Sequence, residues 1–397
     1  MKNIWLLKIY YVLLHYILGN VDMKAIIKKQ RNPNMELLRI IAMMLVVMWH
    51  FFYHGVINGQ VSSSETQMTN WSGPNLVLSQ FIIAVCSICV NVYVLLTGFF
   101  MIGKGFKSKR LLKVWCQTFF YGLSISLLFY LFADDGLRNL IRYSIIHAAF
   151  PYLGGVYWFV HDYLALLIIA PLLGIAALNM SKQLYDKIMM VIIILGVSIP
   201  SVEPYGDDLG FYYGHSFIWF VCLFMAGAYL RRFDLPLKKY QNFKMFFLIS
   251  FLISIITVGF VYIKYRYGNG QFINVCYVYN GFSYLTALLF FSLFKQLKLK
   301  NPFYIRAILK ISPLTFGVYL IHDNPFVREW LWPKFNLYFF FNSPYFILCI
   351  FFIPLSIFLL CIMIDYFRSL LFRIIRIDDG VNKLSKIIDG KIHLFLP

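Results

Sequence analysis

The sequence predicts an all-α membrane protein, a bundle of about ten transmembrane helices. Its 397 residues are 60% hydrophobic and only 13% charged, whereas a soluble domain is about 45–50% apolar and about 25% charged. Most of the long apolar runs reach the length of about 17–25 residues that a bilayer helix needs. Positive charge concentrates in every second connecting segment, as expected when alternate segments face the cytoplasm. Together these observations indicate a protein whose main solvent is lipid.

The apolar runs follow one another along the chain with short connections. They do not alternate as the strands of a membrane barrel must, so we interpret them as helices. The fifth run is the shortest and the least regular. The runs cover residues 37–54, 76–102, 111–132, 156–178, 187–200, 211–230, 243–263, 276–294, 303–322 and 338–365.

The distribution of Lys and Arg predicts the orientation of the bundle. One set of alternating segments carries 28 of the 36 Lys and Arg residues, and the opposite set carries 6. This asymmetry predicts that both termini are cytoplasmic. The net charge of +19 is therefore explained by an anionic inner leaflet, and it does not indicate nucleic acid as a partner.

The chain divides into three parts. Residues 1–30 form an N-terminal cytoplasmic or interfacial segment without a small-residue cleavage site, or a misassigned start. Residues 31–370 form the transmembrane domain, and residues 371–397 form a basic cytoplasmic tail too short for a core of its own. The seven cysteines lie in or beside apolar runs, so no structural disulfide is expected.

The first run carries two polar residues that the bilayer should exclude. Arg39 and His50 are eleven positions apart, which places them on one helix face about 16 Å apart along the axis. Glu36 lies one turn before Arg39 and is expected to pair with it. Ionisable groups inside a span mark a site by default, although Arg39 is also placed to anchor the helix at the headgroups.

Further histidines approach the outer half of the predicted bundle. His54 follows His50 by one turn, but neither a third ligand nor an intervening Glu accompanies the pair, so no metal is expected. The fourth run carries His161 and Asp162, one of which is predicted to share a cavity with His50; the alternative is a local hydrogen bond. His322 closes the ninth run before Asp323.

Two stretches at the predicted cytoplasmic end carry small polar or basic residues of interest. The second run ends with Thr97 and Gly98, where glycine alternatively permits close helix packing. The basic segment KSKRLLK supplies Lys107, Lys109 and Arg110. Its simpler explanation is the positive-inside rule.

Four motifs together resemble the acyltransferase-3 family of membrane O-acyltransferases. They are the Arg39–His50 spacing with Glu36 before it, NVYVLLTGFF, YWFVHDYLALLIIAPLL and LTFGVYLIH. The chain departs from the family pattern where Val94 and Leu95 replace aromatic residues and in its His161–Asp162 pair. The resemblance covers about residues 31–370 and implies a ten-span enzyme of the cell membrane. Such an enzyme takes an acyl group, usually acetyl, from acyl-CoA and esterifies hydroxyls of cell-envelope glycans.

For that chemistry the sequence offers His50 as a general base or as an acyl carrier. Arg39 is predicted to meet the donor, by pairing with a CoA phosphate or by polarising the thioester carbonyl. Further candidates for binding the donor are Thr97, Gly98, Lys107, Lys109 and Arg110. His322 and Asp162 are further catalytic candidates. The alternative function is that of a multi-pass transporter or flippase for a glycan or lipid-linked precursor, although no paired repeat supports it.

Overall fold

The computed structural model describes residues 31–57, 74–132, 145–147, 149–150, 157–195, 214–235, 238–267, 280–335 and 337–395. Within these ranges the chain is helical and contains no strand, which confirms the all-α prediction. The predicted N-terminal segment 1–30 and most of the predicted outer loops lie outside the described residues.

The described helices are numbered in chain order. They are α1 Pro33–His50, α2 Pro74–Cys86, α3 Cys89–Met101, α4 Ser108–Tyr130, α5 Trp158–Asn179, α6 Lys182–Ile193, α7 Phe217–Arg232, α8 Lys239–Tyr267, α9 Asn280–Lys295, α10 Pro302–Ile311, α11 Thr315–His322, α12 Pro325–Leu331, α13 Leu337–Phe341, α14 Phe346–Ile374 and α15 Ile377–Phe395.

Each of the predicted apolar runs overlaps one of these helices, and the chain is a multi-pass membrane protein. Among the described residues, six segments are long and apolar enough to cross a bilayer, and Tyr240–Ile256 and Ser283–Lys295 are shorter apolar helices. The count of ten spans and the cytoplasmic termini stay predictions. The six segments are Pro33–Val56, Leu78–Met101, Ser108–Tyr130, Trp158–Asn179, Pro302–His322 and Phe346–Ile374.

Helix α1 has a clear start and an unusual end. The Asn32 side chain accepts a hydrogen bond from the backbone N–H of Asn34, and Pro33 occupies the first turn, where its missing N–H costs nothing. Beyond His50 the helix widens into a π-helix over Phe51–Ile57. Wide turns of this kind are rare and are frequent at functional sites.

Helices α3 and α7 pack backbone against backbone, and each contributes a glycine to the contact. A methyl group added at Gly98 would lie 2.1 Å from the carbonyl oxygen of Phe224, and one added at Gly227 would lie 2.1 Å from that of Leu95. Small residues allow membrane helices to pack backbone against backbone. The packing alternative considered for Gly98 therefore has direct geometric support.

A buried carboxylate connects α14 to two other helices. Asp365 is fully buried and pairs with Arg368 at 2.7 Å. It also accepts hydrogen bonds from Gln117 and Tyr121 of α4 at 3.0 and 2.8 Å. Gly317 of α11 leaves room for the carboxylate, since a methyl group there would lie 2.1 Å from it. Breaking a buried pair of this kind costs about 3–5 kcal/mol, so α4, α11 and α14 are held together.

Substitution of Gly227 by alanine tests the α3–α7 contact. The new methyl group meets backbone, which cannot move aside, so we expect destabilisation of about 1–3 kcal/mol and a lower thermal unfolding temperature of the detergent-solubilised protein. Gly259→Ala in α8 is the matched control, because nothing lies within 4 Å of the added atom. An equal unfolding temperature for Gly227→Ala and the control would contradict the close contact.

Candidate active site

A cavity of about 330 Å³ lies beside the C-terminal part of α1. Its walls are mainly aromatic and aliphatic, with a small number of polar groups, as is typical of ligand pockets of this size. The polar and charged side chains that line it come from several distant parts of the chain. They are His50, Tyr53, His54, Ser87, Asn91, Tyr93, His215, Tyr319, Asp323 and Arg328.

His50, which lines the cavity, forms a direct hydrogen bond with His322. Nδ1 of His50 lies 2.8 Å from Nε2 of His322, and the ring centroids are 5.0 Å apart. His322 is completely buried, whereas the side chain of His50 is 13% exposed and lines the cavity. The structure thus brings together two histidines that the sequence places 272 residues apart.

The partners of the two rings determine where their protons lie. Nδ1 of His322 is 2.5 Å from the carbonyl oxygen of Val318, and a carbonyl only accepts, so this nitrogen carries a proton. With both rings neutral, Nε2 of His322 must accept the proton of His50 Nδ1. Nε2 of His50 is then the unprotonated nitrogen, which is the form that a base or a nucleophile requires.

Asp323 adds a negative charge close to this pair. Its Oδ1 lies 3.7 Å from Nδ1 of His50 and 3.8 Å from Nε2 of His54. Nη1 of Arg328 lies 3.5 Å from the same oxygen. Because Asp323 is almost fully buried, its charge acts in surroundings that screen it weakly.

The turn between α11 and α12 fixes the position of Asp323. Asn324 caps α12 by accepting the backbone N–H of Phe326, and its amide donates to the Tyr157 hydroxyl at 2.8 Å. Tyr157 in turn donates to the carbonyl of Leu320 at 2.8 Å. Pro325 starts the new helix. The sequence His-Asp-Asn-Pro therefore forms a rigid corner that aims the carboxylate at α1.

Arg39 lies at the opposite end of α1 and does not line the cavity. It pairs with Glu36 at 2.5 Å, so the expected i,i+3 contact is present. Glu36 also binds Arg31 at 3.0 Å and accepts a hydrogen bond from Ser312 at 2.7 Å. This network joins the start of α1 to the segment that leads into α11.

Tyr93 contacts both the backbone of Arg39 and the cavity. Its hydroxyl donates to Thr315 at 3.0 Å and lies 3.2 Å from the carbonyl oxygen of Arg39, while its ring lines the cavity. One turn further along α3, the Thr97 hydroxyl donates to the Tyr93 carbonyl and lies 3.3 Å from the Tyr163 hydroxyl. Thr97 is therefore near the cavity but not in its wall, and its role in binding a donor stays a prediction.

His161 and Asp162 contact each other rather than the cavity. Nδ1 of His161 lies 3.1 Å from Oδ1 of Asp162, which is the local hydrogen bond that the sequence left as an alternative. The side chain of His161 is 46% exposed, and that of Asp162 is 10% exposed. Neither lines the cavity that contains His50, and a catalytic role for Asp162 stays a prediction.

The predicted donor-binding segment begins α4 and is part of a larger group of positive charges. Burial lowers the pKa of Lys104, and the charges of Arg110, Arg231 and Lys107 lower it further. These side chains therefore lie close enough to repel one another. Lys109 belongs to the same turn of α4, and Arg231 reaches the group from the end of α7.

A scan against known families shows which one the chain resembles. The profile described as an acyltransferase domain, that of acyltransferase family 3, matches residues 32–363. The chain belongs to the acyltransferase-3 family. The match covers most of the chain and contains both the histidine pair and the Glu36–Arg39 pair. No curated protein and no solved structure gives a significant match.

Some residues of this acyltransferase-3 site were not predicted from the sequence. Arg328 lies in a predicted outer loop and carries no local signal of a role in the site. His215 lies just before α7 and carries none either. His54 also lines the cavity, and its side chain is 12% exposed. The sequence did carry a signal for Asp323, because it follows His322 directly and Pro325 ends the helix two residues later.

The positions of the ring protons of His50 and His322 can be measured in the acyltransferase without any substrate. We expect ring ¹⁵N NMR of the histidine-labelled protein to find both His50 and His322 protonated at Nδ1 when neutral, because the Val318 carbonyl fixes one tautomer and that tautomer fixes the other. His50→Ala and His322→Ala identify the two signals. A neutral His50 ring protonated at Nε2 would contradict the arrangement.

Proposed function

We propose that this acyltransferase transfers an acyl group, in the first place acetyl, from acyl-CoA to a hydroxyl of a cell-surface polysaccharide or its lipid-linked precursor. It would act as a multi-pass protein of the cell membrane. The observation that carries this proposal is the hydrogen bond that His50, in the wall of a cavity, makes with the buried His322. Family membership supports the reaction class.

In the first form of the reaction His50 acts as a general base. Its Nε2 takes the proton of the acceptor hydroxyl while the oxygen forms a bond to the thioester carbonyl carbon. The carbon–sulfur bond of the tetrahedral intermediate then breaks, and the imidazolium returns the proton to the leaving thiolate. The products are an ester and free CoA, and His50 regains its starting state.

In the second form His50 carries the acyl group itself. Nε2 attacks the thioester carbonyl, the carbon–sulfur bond breaks, and the thiolate leaves with the Nδ1 proton of the resulting acyl-imidazolium, so that a neutral acyl-imidazole remains. The acceptor hydroxyl then attacks the acyl carbon, the carbon–nitrogen bond breaks, and the hydroxyl proton restores the protonated Nδ1 of the ring. Both forms need an unprotonated Nε2 on His50, which the hydrogen bond to His322 favours. Acylated protein that accumulates with donor alone would distinguish the second form from the first.

Positive charge that develops on His50 has partners at short range. His322 accepts the Nδ1 proton at 2.8 Å, and the Asp323 carboxylate lies 3.7 Å from the same nitrogen. Fixed partners of this kind stabilise charge without having to reorganise during the reaction. His322 is therefore proposed to orient His50, and Asp323 to stabilise the imidazolium.

Arg39 and the positive group are proposed to hold the donor. CoA carries several phosphate charges, and Lys and Arg side chains bind phosphate through charge-assisted hydrogen bonds. The positive group consists of Lys107, Lys109 and Arg110 together with Lys104 and Arg231. A bound phosphate would relieve the repulsion among these positive charges. Thr97 and Gly98 lie on α3 between this group and the cavity.

The cavity is proposed to receive the acceptor. Its volume of about 330 Å³ lies at the small end of the range of ligand sites and suits one sugar unit rather than a chain. Trp158 and Phe159 offer flat apolar faces, and Asn91 and Ser87 offer hydrogen-bonding groups. This mixture of faces matches a sugar ring, which has apolar faces and polar edges.

Substitution of His50 by alanine tests the proposed base. We expect acetyl transfer to envelope glycan to fall by about 10²–10⁴-fold, because the proton acceptor is lost. His147→Gln is the matched control, since His147 is a buried histidine that does not line the cavity. Glycan mass analysis of cells that produce each variant gives the readout.

Two outcomes of that experiment would contradict the proposal. Unchanged acetylation with His50→Ala would remove His50 from the reaction. Normal acetylation in cells that lack the protein would favour transport of a glycan or another substrate.

Substitution of Arg110 by glutamine tests the proposed phosphate contact. We expect KM for acetyl-CoA to rise about tenfold or more, as the loss of a charge-assisted hydrogen bond implies, with kcat little changed. The variant should also discriminate less between acetyl-CoA and its 3′-dephospho form. Arg306→Gln, which removes an exposed charge from α10, should leave both quantities unchanged. An unaltered KM for Arg110→Gln would exclude this contact.

A further inference from the structure

We propose that His50, His54 and Asp323 form a binding site for Zn²⁺ and that zinc bound there inhibits the acyltransferase. The binding itself follows from the geometry of the three side chains. The inhibition rests on the proposed role of His50 as base or acyl carrier. Zinc is thus an inhibitory ligand, and the proposed transfer reaction uses no metal.

The three side chains offer ligand atoms that converge on one point. Nδ1 of His50 and Nε2 of His54 lie 3.7 and 3.8 Å from Oδ1 of Asp323. The ligand atoms of the group all lie within 4.8 Å of one another. Nitrogen and oxygen ligands bind zinc at about 2.0–2.2 Å in tetrahedral geometry, so neighbouring ligand atoms in a closed site are a little over 3 Å apart. Small rotations of the side chains therefore close the site.

The ligand set has the composition that zinc selects. Two imidazoles and one carboxylate, with an open fourth position, are a common arrangement around protein-bound zinc. All three side chains line the cavity, which provides an approach for the ion and room for a fourth ligand. The sequence supplied only the i,i+4 histidine pair, and the turn after α11 brings the third ligand from 269 residues beyond His54.

Zinc at this position would remove the lone pair that the proposed reaction needs. A metal on Nδ1 of His50 displaces the proton that this nitrogen donates to His322. In the neutral ring that proton moves to Nε2, which can then neither accept a proton nor attack a thioester. His322 loses its donor at the same time. Inhibition therefore follows from a change of tautomer and does not require the ion to block access.

Other charged and titratable groups around the site set the strength of binding. Arg328 lies 3.5 Å from the same carboxylate oxygen and opposes a second cation. His322 and His215 lie near the site, but in the arrangement described they supply no ligand atom to the group. The positive charge of Arg328 predicts that zinc binds less tightly than at a structural site, and that removal of this charge strengthens binding.

The experiment measures Zn²⁺ binding to the full-length protein in detergent by equilibrium dialysis, without substrate. We expect one zinc ion per chain at this site. His54→Ala should weaken zinc binding by more than about 100-fold. Loss of a residue that only hydrogen-bonds a metal ligand already lowers metal affinity by about 10–100-fold, and His54 is itself a proposed ligand. Arg328→Gln should strengthen binding by about tenfold or more, which a misfolded variant would not do. Co²⁺ should give the visible absorption of a four-coordinate site in the wild type and not in His54→Ala.

A matched control excludes general binding by histidine. His161→Ala removes an exposed histidine that also contacts an aspartate and should leave Zn²⁺ affinity unchanged. Equal affinity of His54→Ala and wild type, or weaker binding by Arg328→Gln, would overturn the site. Zinc that binds as expected without slowing acetyl transfer would refute the inhibition while leaving the site intact. A protein that binds zinc but shows no acetyl transfer would refute the proposed function alone.

Discussion

The hydrogen bond between His50 and His322 depends on the relative position of α1 and α11, and two buried carboxylates hold α11 in place, one through α1 and the other through α4 and α14. Glu36 ties the start of α1 to Ser312, just before α11. Asp365 is seated against Gly317 in the middle of α11 and is held by Arg368. In an apolar bundle such charges are stable only when paired. Because Glu36 and Asp365 must keep their partners, the helices stay close enough for the two imidazoles to form a hydrogen bond.

The histidine pair is suited to a site surrounded by hydrocarbon. Its outer anchor is the neutral carbonyl of Val318, so the resting pair needs no net charge. The carboxylate of Asp323 stands beside the pair at 3.7 Å rather than in line with it, and Arg328 balances its charge. A charge that forms on His50 therefore finds a partner, while the resting site avoids the cost of an isolated buried ion.

Much of the fold and part of the site could be predicted because they depend on local periodicity. The length of the apolar runs predicted the helices, and the 3.6-residue repeat predicted the contact between Glu36 and Arg39. Contacts made by a turn or between distant helices were not predictable. The sequence did not show that the corner after His322 turns Asp323 toward α1, nor that Asp162 turns toward His161. Those outcomes depend on tertiary packing, which has no local signal.

The separation of Arg39 from the histidine pair constrains how acyl transfer can occur. The two groups lie about 16 Å apart along one helix, and Arg39 is outside the cavity wall. A donor whose phosphates rest at the positive group must therefore extend its thioester past Thr97 and Tyr93 to reach His50. Tyr93 contacts both the backbone of Arg39 and the cavity, so it stands where such a path would pass. In the proposed reaction, the length of α1 would separate recognition of the charged donor from the chemistry of the thioester.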